Sequence, residues 1–225
     1  LVPSSETTVV INCAGRTRSI IGAQTLINFG VSNKIFALEN GTQGWSLADL
    51  ELEYGANRIL SMNVAQKDCQ VAQARAKNVA ERYDVSLIDW ETVVKWQCDD
   101  TRTLFLMDVR SRDEYMGGHL PGSVHAPGGQ LVQATDRWVG VRGARIVVYD
   151  DTGVQAICTA HWLKQMGWDV HILSQESRTL VSEDVHRSKL NSEVPRIEAE
   201  QFLELVLDET AYILDLRSSK DFESE

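Results

Sequence analysis

Val9-Val10-Ile11-Asn12-Cys13-Ala14-Gly15-Arg16-Thr17-Arg18-Ser19 reads as a short buried strand, a small-residue turn and the start of a helix. The β-branched apolar run fits a strand. Helical spacing from about Ser19 to Asn28, closed by Gly30, predicts the helix. Ile35-Phe36-Ala37-Leu38 predicts a second strand, and Asn40-Gly41-Thr42-Gln43-Gly44-Trp45 a turn. From about Asn63 to Arg82 an Ala- and Gln-rich run without Pro or Gly predicts one long helix acting as a linker. A second series starts near Val85, with a helix over Asp89–Gln97 and strands at Leu104–Met107, Ile146–Val148 and Val170–Leu173. A charged, weakly structured stretch from Gln175 to Glu193 then leads to Pro195. Alternating strands and helices predict an α/β fold.

The chain repeats itself in two registers. Setting Val9 on Ile146 places Val10-Ile11 on Val147-Val148 and Gly30 on Gly167. Setting Asp108 on Asp215 places Val109-Arg110 on Leu216-Arg217 and Glu114-Tyr115 on Asp221-Phe222. With a two-residue slip, Ile88 and its helix match Ile197 and the segment after it. One module present in parts explains both registers. The predicted organisation is the back half of a module at 1–50, a helical linker at 51–83, a complete module at 84–176, a linker at 177–194 and the front of a further module at 195–225.

The chain has 225 residues, of which 43% are hydrophobic and 24% charged, enough to fill a core. With 22 basic and 32 acidic residues the formal charge is -10, which disfavours nucleic acid and anionic membranes as partners. No apolar run approaches the roughly 18 residues of a membrane span. Leu1-Val2-Pro3-Ser4-Ser5 is neither a signal sequence nor a start methionine, so the chain is expected to begin inside a longer one. Cys13, Cys69, Cys98 and Cys158 show no CxxC or Cys/His spacing. Neither a disulfide framework nor a metal site is expected, and reduced thiols point to the cytoplasm.

The chemistry concentrates at Cys13. A cysteine between a strand's carboxyl end and a helix start feels the positive end of the helix dipole. Ala14, Gly15 and Thr17 let backbone N–H groups turn inward as an anion cradle. Arg16 and Arg18 add positive charge. Each effect lowers a thiol pKa and favours the nucleophilic thiolate. A cysteine after a buried strand also fits as a small core residue, but an inert core position would not gather two arginines.

This turn resembles the active loop of the rhodanese family of sulfurtransferases, Cys followed by a short Gly- and Arg-containing turn that ends in Arg-Ser. The family's second signature is similar to Asp108-Val109-Arg110, Glu114-Tyr115 and Gly118-His119-Leu120-Pro121-Gly122-Ser123. The glycine turn before Trp45 is a third match. The resemblance implies rhodanese-like domains, each a central, mostly parallel sheet flanked by helices, in a fragment of a tandem multidomain protein. It implies Cys13 as the catalytic nucleophile, with Ala14, Gly15, Arg16, Thr17, Arg18 and Ser19 binding the substrate. It implies a thiosulfate sulfurtransferase passing sulfur through a persulfide, from a small anionic donor to cyanide or a thiol, without cofactor or metal.

In the register of Val9 on Ile146, Cys13 falls on Asp150, Arg16 on Gly153, Arg18 on Gln155 and Ser19 on Ala156. The complete module therefore lacks a nucleophile, and Asp150-Asp151 would repel an anion. Cys158, inside the following helix, is out of register to replace it. His119 is expected to bond backbone near the Asp-x-Arg segment, and Asp108 with Arg110 to form an internal ion pair whose Coulomb gain desolvation largely offsets. Trp90, Trp96, Trp162 and Trp168 read as core packing, and Glu51–Glu53 as a solvated face. A non-catalytic interaction module is one alternative. A cysteine-dependent phosphatase or arsenate reductase is another, but only Ala14-Gly15-Arg16-Thr17 separate Cys13 from Arg18, a loop sized for one sulfur rather than a tetrahedral oxyanion.

Overall fold

The computed structural model describes residues 2, 4–55, 65–174 and 197–208. β1 (Val9–Ile11), α1 (Thr17–Asn28) and β2 (Ile35–Ala37) form a β-α-β unit in which Val9, Val10 and Ile11 run parallel to Ile35, Phe36 and Ala37. The predicted turn before Trp45 is instead a helix, α2 (Gly41–Leu47). Its first N–H groups find carbonyl partners on the Cys13 loop, and this outside support lets a Gly-rich sequence hold a helical turn.

The second body consists of α3 (Gln66–Arg82), β3 (Ser86–Ile88), α4 (Trp90–Gln97), β4 (Leu104–Asp108), α5 (Arg112–Gly117), β5 (Val124–His125), α6 (Gly128–Gln133), β6 (Arg145–Tyr149), α7 (Val154–Gln165) and β7 (Asp169–Leu173). Its five strands are all parallel, in the order β3-β7-β6-β4-β5. Parallel strands joined by helices are covered on both faces, so β6 is apolar throughout its centre, with Ile146, Val147 and Val148 fully buried. One face packs Ile146, Val148, Met107 and Ile172 against Ala160 and Leu163 of α7. The other packs Val147, Leu106 and Leu173 beneath Val93 of α4. Asp89 caps α4 by accepting the Thr92 N–H at 2.8 Å, and Ser111 with Glu114 forms a capping box on α5.

α3 is more than a linker. Ala76, Val79 and Ala80 are buried in the same cluster as α7 residues, so the helix closes one side of the core. α6 also lies close to α7. A Cβ on Gly128 would sit 2.2 Å from Thr159 Oγ1, so only glycine permits this approach.

β1-α1-β2 and β6-α7-β7 share boundaries in the register of Val9 on Ile146. Thr17 falls on Val154 and Asn28 on Gln165, the first and last residues of the two helices. Both helices are followed by a left-handed glycine, Gly30 (φ 72°) and Gly167 (φ 83°). The surroundings differ, however. Val147 and Leu173 are buried, whereas their counterparts Val10 and Phe36 are 55% and 56% exposed.

Residues 186–225 form a separate unit, whose described part is the helix α8 (Ala199–Leu207). The matches proposed at Asp215-Leu216-Arg217 and Asp221-Phe222, and the charged stretch from Gln175 to Glu193, lie outside the described residues.

Candidate active site

Cys13 follows β1 by one residue beyond Asn12, and its sulfur faces the first turn of α1. Cys13 Sγ lies 3.5 Å from Ser19 Oγ, and the Ser19 hydroxyl in turn donates to the Arg16 carbonyl at 2.9 Å. Ser19 is fully buried, so its position is set by packing. The Cys13 thiol donates to Ser19 Oγ. Once it ionises, the Ser19 hydroxyl, turned from the Arg16 carbonyl to the sulfur, donates to the thiolate and holds the Cys13 pKa below its ordinary value. Partial burial opposes this, and the backbone N–H groups of Ser19, Gly15 and Arg18 reinforce it. These donors surround one side of the sulfur, as the anion cradle requires.

The seven residues picked from sequence make one continuous loop, but with different parts. Cys13 is half-buried and Ser19 lies beneath it. Gly15 and Arg18 contribute N–H groups to the sulfur. Ala14 presents its carbonyl outward, Arg16 is the exposed residue preceding α1, and Thr17 opens the helix. Neither the Arg16 nor the Arg18 guanidinium has a hydrogen-bond or ion-pair partner among the described residues. Their charges remain available to an anion.

A clamp behind the loop was not legible in the sequence. The N–H groups of Thr42 and Gln43, at the start of α2, donate to the carbonyls of Cys13 and Ala14 at 2.9 and 3.0 Å. Asn12 Nδ2 donates to Thr42 Oγ1 at 3.1 Å. Gly41 makes the approach possible. Its φ is 56°, and a Cβ there would lie 2.1 Å from the Cys13 carbonyl oxygen and 2.4 Å from that of Gly15. With the Cys13 and Ala14 carbonyls tied back, the N–H groups of the same peptide units, those of Ala14 and Gly15, point the other way, and that of Gly15 serves the sulfur.

The counterpart loop at Asp150 is filled rather than repulsive. Asp150 is 2% exposed. Its carboxylate accepts the Thr152 hydroxyl at 2.7 Å and the N–H groups of Thr152, Gln155 and Ala156 at 3.1, 3.4 and 3.0 Å. It occupies the anion position of its own helix N-terminus. Asp151 pairs with Arg110 at 2.8 Å and accepts the Tyr149 hydroxyl. The loop thus excludes an anion by being filled, as well as by the charge that the sequence shows.

Arg110 also binds Asp108 at 2.6 Å, as expected, and donates to the Gly118 carbonyl at 2.6 Å. Burial opposes its charge, but the hydrogen bonds it donates to Asp108 and Asp151 outweigh that and raise its pKa. His119 bonds backbone, as expected, and His125 adds a second such contact. His119 lies against the Tyr115 carbonyl at 3.1 Å and stacks on the Tyr115 ring, whereas His125 Nε2 meets the Arg110 carbonyl at 3.0 Å. Cys158, pushed up to about 12 by burial and by the charge of Asp150, is held as a neutral thiol. Trp90 and Trp96 pack on the α4 face of the sheet, as expected. All four cysteines are free, and no cluster of metal-ligating side chains occurs among the described residues. No described helix is long and apolar enough to cross a membrane.

Comparison with known proteins adds the following. A rhodanese-like domain family matches residues 90–176. The crystal structure of a thiosulfate sulfurtransferase from Pseudomonas aeruginosa is 50% identical over 78% of this chain, with a TM-score of 0.75. The present chain covers 33% of that protein, about a third of its length. SseA from Escherichia coli, described with the 3-mercaptopyruvate sulfotransferases, is 20% identical over 76% of this chain and 67% of its own, with a TM-score of 0.33. A rhodanese-related protein from Thermoplasma volcanium is 17% identical over 44% of this chain and 99% of its own, with a TM-score of 0.37. No curated protein matches the chain significantly.

Proposed function

Because residues 90–176 are a rhodanese-like domain, we propose that the chain is part of a sulfurtransferase and that Cys13 carries the sulfur as a persulfide. The observation that carries this reading is the Cys13 sulfur seated among the Ser19 hydroxyl and the N–H groups of Ser19, Gly15 and Arg18, with its pKa lowered. The Cys13 thiolate attacks the outer sulfur of thiosulfate, the S–S bond of the donor breaks, and sulfite departs with the bonding pair. The product is a Cys13 persulfide whose terminal sulfur anion the same N–H groups stabilise. Arg16 and Arg18 orient the dianionic donor. Cyanide or a thiol then takes the outer sulfur and returns Cys13 to the thiolate. A reducing compartment such as the cytoplasm suits a resting thiolate.

A second reading applies to the complete domain alone. Asp150 fills its cradle and no thiol stands there, which favours a structural or partner-binding role for residues 84–176. Intact mass after thiosulfate treatment tests both assignments. One cyanide-labile sulfur is expected on the unmodified protein and none on Cys13→Ala. Equal labelling of the two would sink the assignment.

A further inference from the structure

Among the described residues up to Leu50, only Ser19, Ala23 and Gly41 are buried. A two-stranded β-α-β unit with so little core of its own does not fix its helix firmly. The rear of α1 is held from outside, by α7. Trp162 Nε1 donates to Thr25 Oγ1 at 2.8 Å, and the Thr25 hydroxyl donates in turn to the Ile21 carbonyl at 2.7 Å. One turn further on, Asn28 Nδ2 lies 3.4 Å from Nε2 of the fully buried His161. His161 Nδ1 is 3.2 Å from the Ile157 carbonyl, which can only accept. Nδ1 therefore carries the proton, and Nε2 accepts from the Asn28 amide. Phe29, next in the chain, packs on the core of the second body.

These contacts bear on the sulfur because the two sides of its cradle are held by different elements. The Cys13 and Ala14 carbonyls are tied to α2 through Thr42 and Gln43. Ser19, whose hydroxyl lies 3.5 Å from Cys13 Sγ, belongs to α1 and moves with it, as do the N–H groups of Arg18 and Ser19. Thr25 is about 9 Å beyond Ser19 along the helix axis. A swing of about 5° about the Thr25 end would displace Ser19 by about 0.8 Å. Misplacement of a reacting group by about 1 Å already costs on the order of 100-fold in rate. α7 is a firm base for such a support. Asp150 accepts the N–H groups of its first turn, and Ile157, Ala160 and Leu163 lie in the sheet core.

We propose that Thr25 and Trp162 are a positioning pair for the Cys13 centre, through which the module without a thiol sets the helix start that faces the sulfur. The inference rests on the sulfur-transfer reading above and gives residues 84–176 a part in it. The side chain against the sulfur is that of Ser19, so the pair acts through α1, whose end Asn28 and His161 brace as well. With the rear of α1 fixed on α7 and the Cys13 carbonyl fixed on α2, the first turn of α1 keeps its donors within reach of the sulfur. A thiolate and the outer sulfur of a persulfide both need those donors in place.

The test compares variants of the full chain that remove this hydrogen bond and keep the shape of the contact. Trp162→Phe takes away the indole N–H, and Thr25→Val takes away its acceptor at nearly constant volume. Two readouts are taken: the pH midpoint of Cys13 alkylation, located by peptide mapping, and the single-turnover rate of loading by saturating thiosulfate. Each variant should load about tenfold more slowly, with a raised alkylation midpoint. The double variant should be no slower than either single one, because both remove the same bond. Thr25→Ser keeps the hydroxyl and should load at the unmodified rate. Val93→Ala opens a void beneath α4, on the sheet face opposite α7. It should lower the urea midpoint and leave both readouts where they were. Unmoved readouts in Trp162→Phe and Thr25→Val would overturn the proposal. Equal slowing by Val93→Ala would overturn it too, since general loss of stability would then explain the effect. If the unmodified protein did not load, sulfur transfer would fall, and the alkylation midpoint alone would decide the positioning role.

Discussion

Gly41→Ala is the sharpest probe of how the cysteine loop is held. A methyl group at residue 41 would stand 2.1 Å from the Cys13 carbonyl oxygen and 2.4 Å from that of Gly15. Ordinary contact requires about 3.5 Å, so the loop must retreat by more than about 1 Å or α2 must lift away. The left-handed backbone adds about 1 kcal/mol for any residue with a Cβ. Gly30→Ala separates the two contributions, since Gly30 is also left-handed but a Cβ there meets nothing within 4 Å. Gly30→Ala should cost about 1 kcal/mol and leave persulfide formation unchanged. Gly41→Ala should cost about 2–4 kcal/mol if the loop stays in place, or relieve the overlap by moving the loop. Misplacing a reacting group by about 1 Å lowers its rate on the order of 100-fold. Single-turnover loading by thiosulfate, followed by mass, measures the rate, and urea unfolding measures stability. Gly41→Ala loading at the rate of Gly30→Ala with the same stability would refute the clamp.

Three other perturbations have defined outcomes. Ser19→Ala removes the largest influence lowering the Cys13 pKa, so the pH midpoint of Cys13 alkylation should rise. A thiol reacts as thiolate, so the rate at neutral pH should fall by about threefold to tenfold, less than for a lost oxyanion donor because the backbone N–H groups remain; an unmoved midpoint would exclude the hydroxyl's role. Asp150→Ala leaves the N–H groups of Thr152, Gln155 and Ala156 without their acceptor and should cost about 2 kcal/mol, a fall of about 4–8 °C in Tm, with Cys13 loading unaffected. Cys158, with its pKa pushed up to about 12, should be alkylated near neutral pH about 1000-fold more slowly than an ordinary free thiol; peptide mapping that finds it labelled first would contradict its burial.

The strands and the anion loop were legible because each has a local signature. β-branched runs bounded by turns gave β1, β2, β4, β6 and β7, and the strand-Cys-turn-helix order pointed to the candidate site. What sequence left out depends on pairs of distant segments. The Asn40–Trp45 stretch has turn composition, and it becomes a helix because Thr42 and Gln43 meet carbonyls some thirty residues away. α3 reads as a polar linker because alanines carry little hydrophobic signal, yet Ala76 and Ala80 are small enough to bring it against α7. His119 bonds backbone as expected, at Tyr115, while His125 is the ring that reaches the Arg110 carbonyl, and only the fold decides which ring turns toward that segment.

Asp150 makes the same point about charge and leads to a stronger account of the nucleophile. A carboxylate in a sequence is only a negative charge, and repulsion is the natural expectation. In the fold it turns inward and accepts three N–H groups and a hydroxyl, so the helix start that repeats the Cys13 site binds an anion in practice. The two loops thus act as controls for one another. In one the anion is a permanent side chain and nothing else can enter. In the other the occupant is a sulfur whose charge depends on protonation and which, in the function proposed above, bears a second sulfur. The preference of the cradle for negative charge is built by the backbone in both, and the identity of the side chain at Cys13 or Asp150 decides whether that preference stabilises a fold or lowers a thiol pKa, as the proposed nucleophile requires.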